Sequence, residues 1–569
     1  MEMNWKLQAS PDPDQVARLQ KELTTSEELA KILLQRGIFD YEGAKRFFLP
    51  ETNGLHEPMQ MKDMDKAVER LERMRNEGEK VMVFGDYDVD GTTAVSLVSE
   101  VFRKCGIEHL TYIPDRYVEG YGLSLKGMEK ARESGCSLVI ALDCGIKGHH
   151  VVEQAAEWGL DMIICDHHQP GATLPAAHAV LDPKRSDCPY PFKELSGCGV
   201  GFKLMQAWTP RLGWKESDLD PLTDLLAVSI AADIVPIVGE NRTLMHKGLG
   251  VINETPRTGL RALMKQSNRG KIWNTQEVVF QLAPRINAAG RIEHGQLAVE
   301  LLTTNSEEDA ERIAAHINEL NLSRRSKDAD ITGEALEMLK GTEDRYTSVV
   351  CSESWHKGVI GIAASRLIET HYRPTVVLTA SGNVLAGSAR SVKGFDLYTA
   401  IDVCKEHLIQ FGGHAFAAGM TLRKDQLESF KAAFEEQVRS TITDDQRVPT
   451  LWIDLPLDPD AISRRFYNSL QRMGPFGPGN MTPVFACFGL LETGGSRKVG
   501  SGKHLKLQLR DESGIELDGI AFGMGDKWEQ IQGQRLDVAF TLDLNVWNGI
   551  ERIQLMIKDV RPSAAVPAA

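Results

Sequence analysis

The chain has 569 residues, 42% hydrophobic and 25% charged, the balance of an ordinary globular protein rather than a fibrous or disordered one. At roughly 100–200 residues per domain, this length predicts three or four domains. The net charge of −14 argues against a general nucleic-acid coating protein, yet leaves room for a local basic groove and for an acidic site holding divalent cations.

Residues 1–75 read as a helical, polar segment. "TTSEELAKILLQRG" places Ser26 as an N-cap and Gly37 as a stop. "MDKAVERLERMRNEG" carries Ala67, Val68, Leu71 and Met74 at helical spacing. The opening "MEMNWKLQASPDPDQ" has no signal-peptide apolar region, and no run reaches the ~18 apolar residues that span a bilayer. The expectation is a cytoplasmic protein without a membrane partner. The nine cysteines are scattered without a C-x-x-C pair, so they read as small buried side chains, not as zinc ligands or disulfides.

Over residues 76–240 the rhythm changes. "VMVFG", "HLTYIP", "SLVIALD" and "DMIICD" are strand-like and alternate with helical stretches such as "TTAVSLVSEVFRKCG". That alternation predicts βαβ units and a parallel sheet, whose ligands bind at the carboxyl ends of the strands. Asp86 and Asp88 follow the first strand in "DYDVDG", Asp143 closes "SLVIALD", and Asp166 closes "DMIICD" ahead of His167 and His168. A single aspartate there is usually a helix cap or turn former. Several converging on one sheet edge beside two histidines favour a metal site. "PLTDLLAVSIAADIVP" is apolar all round and predicts a buried helix with Asp233 near its end, a costly position unless paired or metal-bound.

Residues 241–345 read as a helical connector ending in one long helix or two joined ones. Residues 346–445 return to α/β, with "TSVVCSE" and "PTVVLTA" as strands and "VIGIAASRLIETHY" as the helix between them. Residues 446–562 alternate with period two, as in "HLKLQLRD" and "VAFTLDLNV", predicting a small antiparallel barrel of OB type. Its basic residues Arg497, Lys498, Lys503, His504 and Lys506 suit a single strand, while Phe485, Phe488 and Phe522 read equally as stacking or core residues. Residues 563–569 read as a loose tail. The fold class is therefore α/β: a parallel-sheet domain and a smaller α/β domain joined by a long helix, with a C-terminal OB-like β-barrel.

Carboxylates with imidazoles suit Mn²⁺ or Mg²⁺, and two such ions form the usual clamp for phosphodiester hydrolysis. Asp143, from a central strand, is the natural bridging carboxylate. The ordered motifs "DYDVDG" (86–91), "DHH" (166–168), "AADIVP" (231–236) and "GGH" (412–414) make the chain resemble the DHH phosphoesterases from about residue 80 onward. Its plan is similar to the RecJ-type single-strand-specific exonucleases. The resemblance implies a DHH catalytic domain, a DHH-associated domain and cleavage of single-stranded DNA from the 5′ end, in repair and recombination. It also implies single-strand-binding protein and a RecQ-like helicase as partners. Asp86, Asp88, Asp143, His167 and Asp233 would be metal ligands. His168 would sit beside the scissile phosphate, Asp166 would orient an imidazole, and Asp90 would support them. Met82 stands where many small DHH phosphatases carry a histidine, a substitution typical of the RecJ type.

Arginine forks suit phosphate. Arg116, Ser388 and Arg390 carry over by motif as a pocket for a terminal 5′-phosphate. Arg291 is preferred over Arg285, for which a surface ion pair is about as good a reading. His356, before a helix N-terminus, and His414, after two glycines, are further substrate-binding candidates. The alternatives are a DHH phosphodiesterase acting on short oligonucleotides or cyclic dinucleotides, and a scaffold that has lost catalysis. The extra barrel counts against the first and the intact ligand set against the second.

Overall fold

A computed structural model of the chain describes residues 2–50, 54–267, 272–547 and 549–563. Its internal contacts divide it into two compact units. One comprises Met1–Thr52, Val448–Phe476 and Asn480–Ala569; the other comprises Asn53–Arg447 and Gly477–Gly479. The last residues of the expected tail, 564–569, lie outside the described residues.

The first unit opens with a strand, β1 (Asn4–Leu7), where the sequence predicts only helix. Its four residues are too few to show a period, and its stability comes from parallel pairing with the distant Thr450–Ile453. Three helices follow, Pro13–Leu23, Glu27–Gln35 and Tyr41–Phe48. The second starts where expected, with the Ser26 hydroxyl accepting the Leu29 N–H at 3.3 Å.

The second unit holds the parallel sheet of β2 (Lys80–Gly85), β3 (His109–Tyr112), β4 (Cys136–Leu142), β5 (Asp161–Cys165) and β6 (Ala179–Leu181), in the order β3-β2-β4-β5-β6. Alternate residues face opposite layers. Val81, Val83, Leu138 and Ile140 join one core with residues of the helices Val89–Lys104 and Gly197–Leu212. Met82, Phe84, Val139 and Ala141 join another with residues of the helices Leu125–Glu133 and His149–Glu157. Met82 is thus a fully buried core side chain. The Thr223–Ala232 helix is buried over nearly its whole length, as its composition predicts.

Glu307–Met338 is one unbroken helix of 32 residues, capped by Ser306. A second sheet follows, β7 (Ser348–Cys351), β8 (Thr375–Ser381), β9 (Val384–Arg390), β10 (Gln410–His414) and β11 (Ala417–Arg423), in the order β10-β11-β9-β8-β7. In this sheet β7 and β8 pair in parallel and the other pairs are antiparallel. "FGGHAFAAG" is its edge hairpin, where a Cβ on Gly413 would overlap Ala417 and Ala418.

The remaining strands return to the first unit: β12 (Thr450–Ile453), β13 (Leu455–Pro456), β14 (Phe485–Glu492), β15 (Arg497–Val499), β16 (His504–Arg510), β17 (Glu516–Ala521), β18 (Arg535–Trp547) and β19 (Ile550–Pro562). Pairing of β14 with β16 closes the ring β14-β18-β19-β17-β16, a five-stranded barrel. The barrel settles its aromatics: Phe485 is core, whereas Phe488 and Phe522 are exposed.

Candidate metal centre and arginine pocket

The strand order reverses around β2 and β4, so the crevice at their carboxyl ends is the switch point of the parallel sheet. Asp86 is the first residue past β2 and is fully buried. One of its oxygens accepts the Gly122 N–H at 3.3 Å, and the other has no hydrogen-bond partner among the described residues. Asp88 caps the Val89–Lys104 helix by accepting the N–H groups of Asp90 and Gly91 at 3.0 and 3.2 Å. Gly91 is required there, because a Cβ would overlap the Asp86 backbone. Asp143, the first residue past β4, adopts φ 59°, a left-handed conformation uncommon outside glycine. Its N–H is held by the Cys165 carbonyl at 2.9 Å, and Gly197 leaves space for its side chain.

These groups converge on His167, whose Nε2 lies 3.2 Å from Asp143, 3.5 Å from Asp233 and 3.8 Å from Asp90. Asp233 reaches in from the C-cap of the Thr223–Ala232 helix. Both ring nitrogens of His167, Asp143 Oδ1 and Asp86 Oδ2 are buried without a hydrogen-bond partner among the described residues. Buried polar atoms are almost always paired, so four orphans in one crevice mark a place for something charged. Burial and the neighbouring carboxylates push Asp143 and Asp86 well above the usual range, and push Asp233 up to about 8. Burial pushes His167 down, favouring the neutral imidazole that ligates metals. Donor atoms of Asp143, His167 and His168, and of Asp90, His167 and Asp233, form two sets each within 4.8 Å. Oxygen donors with one or two imidazoles fit hard or borderline divalent cations.

Asp166 is saturated by the protein. One oxygen accepts the His167 and His168 N–H groups at 2.7 and 3.1 Å and His168 Nδ1 at 2.7 Å; the other accepts the Ile146 N–H at 2.9 Å. Burial alone would raise its pKa, but these donors outweigh it and hold Asp166 at about 2. Burial would likewise lower His168, yet the Asp166 bond raises it to about 9. Asp90 also serves the scaffold. It accepts the N–H groups of Gly197 and Cys198 at 2.7 and 2.8 Å and the Ser229 hydroxyl at 2.7 Å. The first turn of one helix is thereby tied to the N-terminus of a second and the later part of a third.

A set of cations stands nearby. Arg116 lies over the Tyr87 ring at 4.5 Å. Arg291 donates to the Gly358 carbonyl at 3.3 Å, and Arg390 to the Ser388 hydroxyl at 3.1 Å. Burial, with Arg116 close by, pushes Arg291 down to about 10 and lowers Arg390 as well. Gly361, in the first turn of the Ile360–Thr370 helix, lets that helix approach Ser388 and Arg390 closely. His414 is lowered by partial burial, with Lys147 and His168 close enough to add to the effect. His356 accepts the Gly358 N–H through Nδ1 at 3.1 Å, so it serves its own loop.

Arg285 is not part of this set. It donates to Asn318 Oδ1 at 3.1 Å, to the Gln281 carbonyl at 2.7 Å and to the Gln266 carbonyl at 3.4 Å, all scaffold groups. Arg291, six residues on, leaves the same helix from a different face, since six residues are not a whole number of turns. Two tyrosines complete the crevice without any sequence pattern to announce them. Tyr121 places its hydroxyl 2.8 Å from His168 Nε2, and Tyr87 lies edge-on to Tyr121 at 6.1 Å. Their nearness in the chain to Asp86, Asp88 and Arg116 is the one signal that could have found them.

Three family models match: the DHH family N-terminal domain over residues 80–230, the DHHA1 domain over 325–440 and the RecJ OB domain over 453–559. The single-stranded-DNA-specific exonuclease RecJ of Bacillus subtilis is 38% identical over 99% of this chain and 71% of its own length. That of Escherichia coli is 33% identical over 96% of this chain and 98% of its own length. RecJ of Thermus thermophilus in complex with Mn²⁺ superposes with a TM-score of 0.86 at 27% identity, covering 99% of this chain and 80% of that one. An exonuclease RecJ bound to manganese gives 0.60 at 30% identity over 68% of this chain and 96% of that one. Motif order, fold and these matches agree: the chain belongs to the RecJ family of DHH proteins.

Proposed function

We propose that this chain is a metal-dependent exonuclease that hydrolyses single-stranded DNA in the 5′→3′ direction to 5′-mononucleotides, in DNA repair and recombination. The observation that carries this reading is the crevice where four buried polar atoms of Asp86, Asp143 and His167 have no hydrogen-bond partner among the described residues, next to an arginine set of opposite charge. Asp86, Asp88, Asp143, His167 and Asp233 would hold two divalent ions, with Asp143 bridging. Similar RecJ structures carry Mn²⁺ or Mg²⁺, which supports the same ions here. Held there, such ions supply Lewis acidity to the phosphodiester and activate water.

The chain's own residues do the rest. Asp166 fixes His168 through Nδ1, and Nε2, which meets the Tyr121 hydroxyl in this structure, would turn its N–H to an oxygen of the scissile phosphate. Arg116, Arg291 and Arg390 with Ser388 take the terminal 5′-phosphate and set where the strand begins. His414, from the edge hairpin, lies on the side of His168 and suits a further phosphate contact. Residues 76–240 are the catalytic domain, 241–345 the connector, 346–445 the DHH-associated domain and 446–562 the barrel that holds the strand. Single-strand-binding protein and a RecQ-like helicase fit as partners, and the cytoplasm as location. No helix among the described residues is long and apolar enough to cross a membrane.

The test is degradation of 5′-labelled and 3′-labelled strands, single and double, with Mn²⁺ or Mg²⁺. Release of mononucleotides from the 5′ label of single strands alone is expected. Release from the 3′ label first would overturn the polarity, and equal turnover of dinucleotides and long strands would favour an oligonucleotide phosphodiesterase.

A further inference from the structure

A cavity of about 640 Å³ is lined by Tyr117, Lys327, Glu334, Trp355, His356 and Lys357 among others. This volume falls within the range of about 300–1,000 Å³ that accommodates small ligands, enough for one nucleotide. Tyr117 connects its lining to the arginine set. Tyr117, the residue after Arg116, donates its hydroxyl to the Arg291 carbonyl. The Arg291 guanidinium in turn donates to the Gly358 carbonyl at 3.3 Å. Gly358 has no room for a side chain, because a Cβ would run into the Tyr117 hydroxyl and the Arg291 carbonyl. The Tyr117 ring also lies edge-on to His356 with centroids 6.0 Å apart. Three separate segments therefore meet on one phenol: the loop after β3, the end of the Ala283–Ile292 helix and the loop before the Ile360–Thr370 helix.

We infer that Tyr117, closed against Arg291 and Gly358, is the end wall of the phosphate pocket and the residue that excludes a 5′ end bearing anything beyond its phosphate. This rests on the reading that the arginine set takes the terminal 5′-phosphate. A wall at this place makes the terminus the only register in which a strand fits. The first phosphodiester is then the one presented to the metal centre, and the product is one nucleotide long. The cavity behind the wall is space that an extended 5′ end would occupy once the ring is gone. Tyr117 is a specificity-determining residue in this scheme. It takes no part in the chemistry.

The experiment compares strands of one sequence carrying a 5′-phosphate, a 5′-hydroxyl or a 5′-adenylate, in which a nucleoside is joined through a pyrophosphate. Wild type, Tyr117→Phe, Tyr117→Ala and Arg390→Ala are assayed, with thermal melting to confirm folding. The wild type is expected to prefer the phosphate over the adenylate. Tyr117→Ala should reduce that preference about tenfold or more, the scale on which a steric pocket discriminates, and should release dinucleotides alongside mononucleotides. Tyr117→Phe keeps the ring and should retain most of the preference. If Tyr117→Ala is folded but slow, the same ratio is read from binding of the three strands in Ca²⁺. An unchanged phosphate-to-adenylate ratio in Tyr117→Ala would sink the end-wall assignment. Loss of phosphate-over-hydroxyl preference in Arg390→Ala is the separate check on the pocket; its retention would overturn the pocket reading, whatever Tyr117 does.

Discussion

The acidic crevice and the arginine pocket are built by opposite strategies from like charges. The acids ride on the ends of adjacent parallel strands, anchored by backbone groups: Gly122 on Asp86, the Asp90 and Gly91 N–H groups on Asp88, and Cys165 on the backbone of Asp143. The arginines come from three separate regions of the chain and are steadied by carbonyls, a hydroxyl and an aromatic face. One sheet edge assembles most of the first site, and Asp233 joins it from the end of the Thr223–Ala232 helix. The second exists only when the connector helices and the second sheet have packed. Repulsion is also handled differently. Buried carboxylates can take up protons until a cation arrives, whereas arginine stays charged and must be held by polar neighbours.

Substitutions can break this contrast. Asp143→Ala should remove cleavage altogether, a loss of about 10³-fold or more in single-turnover rate if several kcal/mol of metal-supplied stabilisation disappears. In chelator, Asp143→Asn should instead raise Tm by a few degrees. It removes a carboxyl that burial and its neighbours oblige to take up a proton on folding, and asparagine tolerates the left-handed backbone. A lower Tm would show that the crevice is not frustrated without metal. Adding Mn²⁺ to the wild type at a hundredfold over Kd should stabilise it by about 2.7 kcal/mol, an effect Asp143→Asn largely loses.

Arg390→Ala should lower kcat/KM on 5′-phosphorylated strands by about 10–100-fold, the loss of a charge-assisted hydrogen bond, mostly through KM. A fall confined to kcat would place Arg390 at the reacting phosphate instead. Asp90→Ala should cost about 2–3 kcal/mol in a thermal melt, because it strands two amides and a hydroxyl in the interior. The smallest effect belongs to Arg285→Ala. Its scaffold bonds predict a stability loss of about 1 kcal/mol and an unaltered preference for 5′-phosphate. A changed preference would return Arg285 to the pocket.

How much could be read beforehand follows the same division. The βαβ rhythm from Val81 onward, the placement of Asp86, Asp143 and Asp166 at strand ends, and the buried Asp233 helix are local patterns, legible from alternation and polarity. The motif suggests Asp166 as an orienting group, and the structure gives it four donors, one of them His168 Nδ1. The strand Asn4–Leu7 was not, since its pairing partner begins at Thr450. Nor were the roles of Tyr87, Tyr117 and Tyr121. An isolated tyrosine in a loop carries no period, and its meaning depends on what lies across from its hydroxyl.

The α/β class, the acidic sheet edge and the alternating barrel strands are local properties of the sequence, because each follows from side-chain period and from residues a few positions apart. Folding across the chain sets the rest: Arg285 bonds scaffold groups while Arg291 bonds the Gly358 carbonyl, Asp90 ties three helices, and Tyr117 closes on Arg291. Those outcomes depend on which helix face meets which loop, and long-range packing sets that.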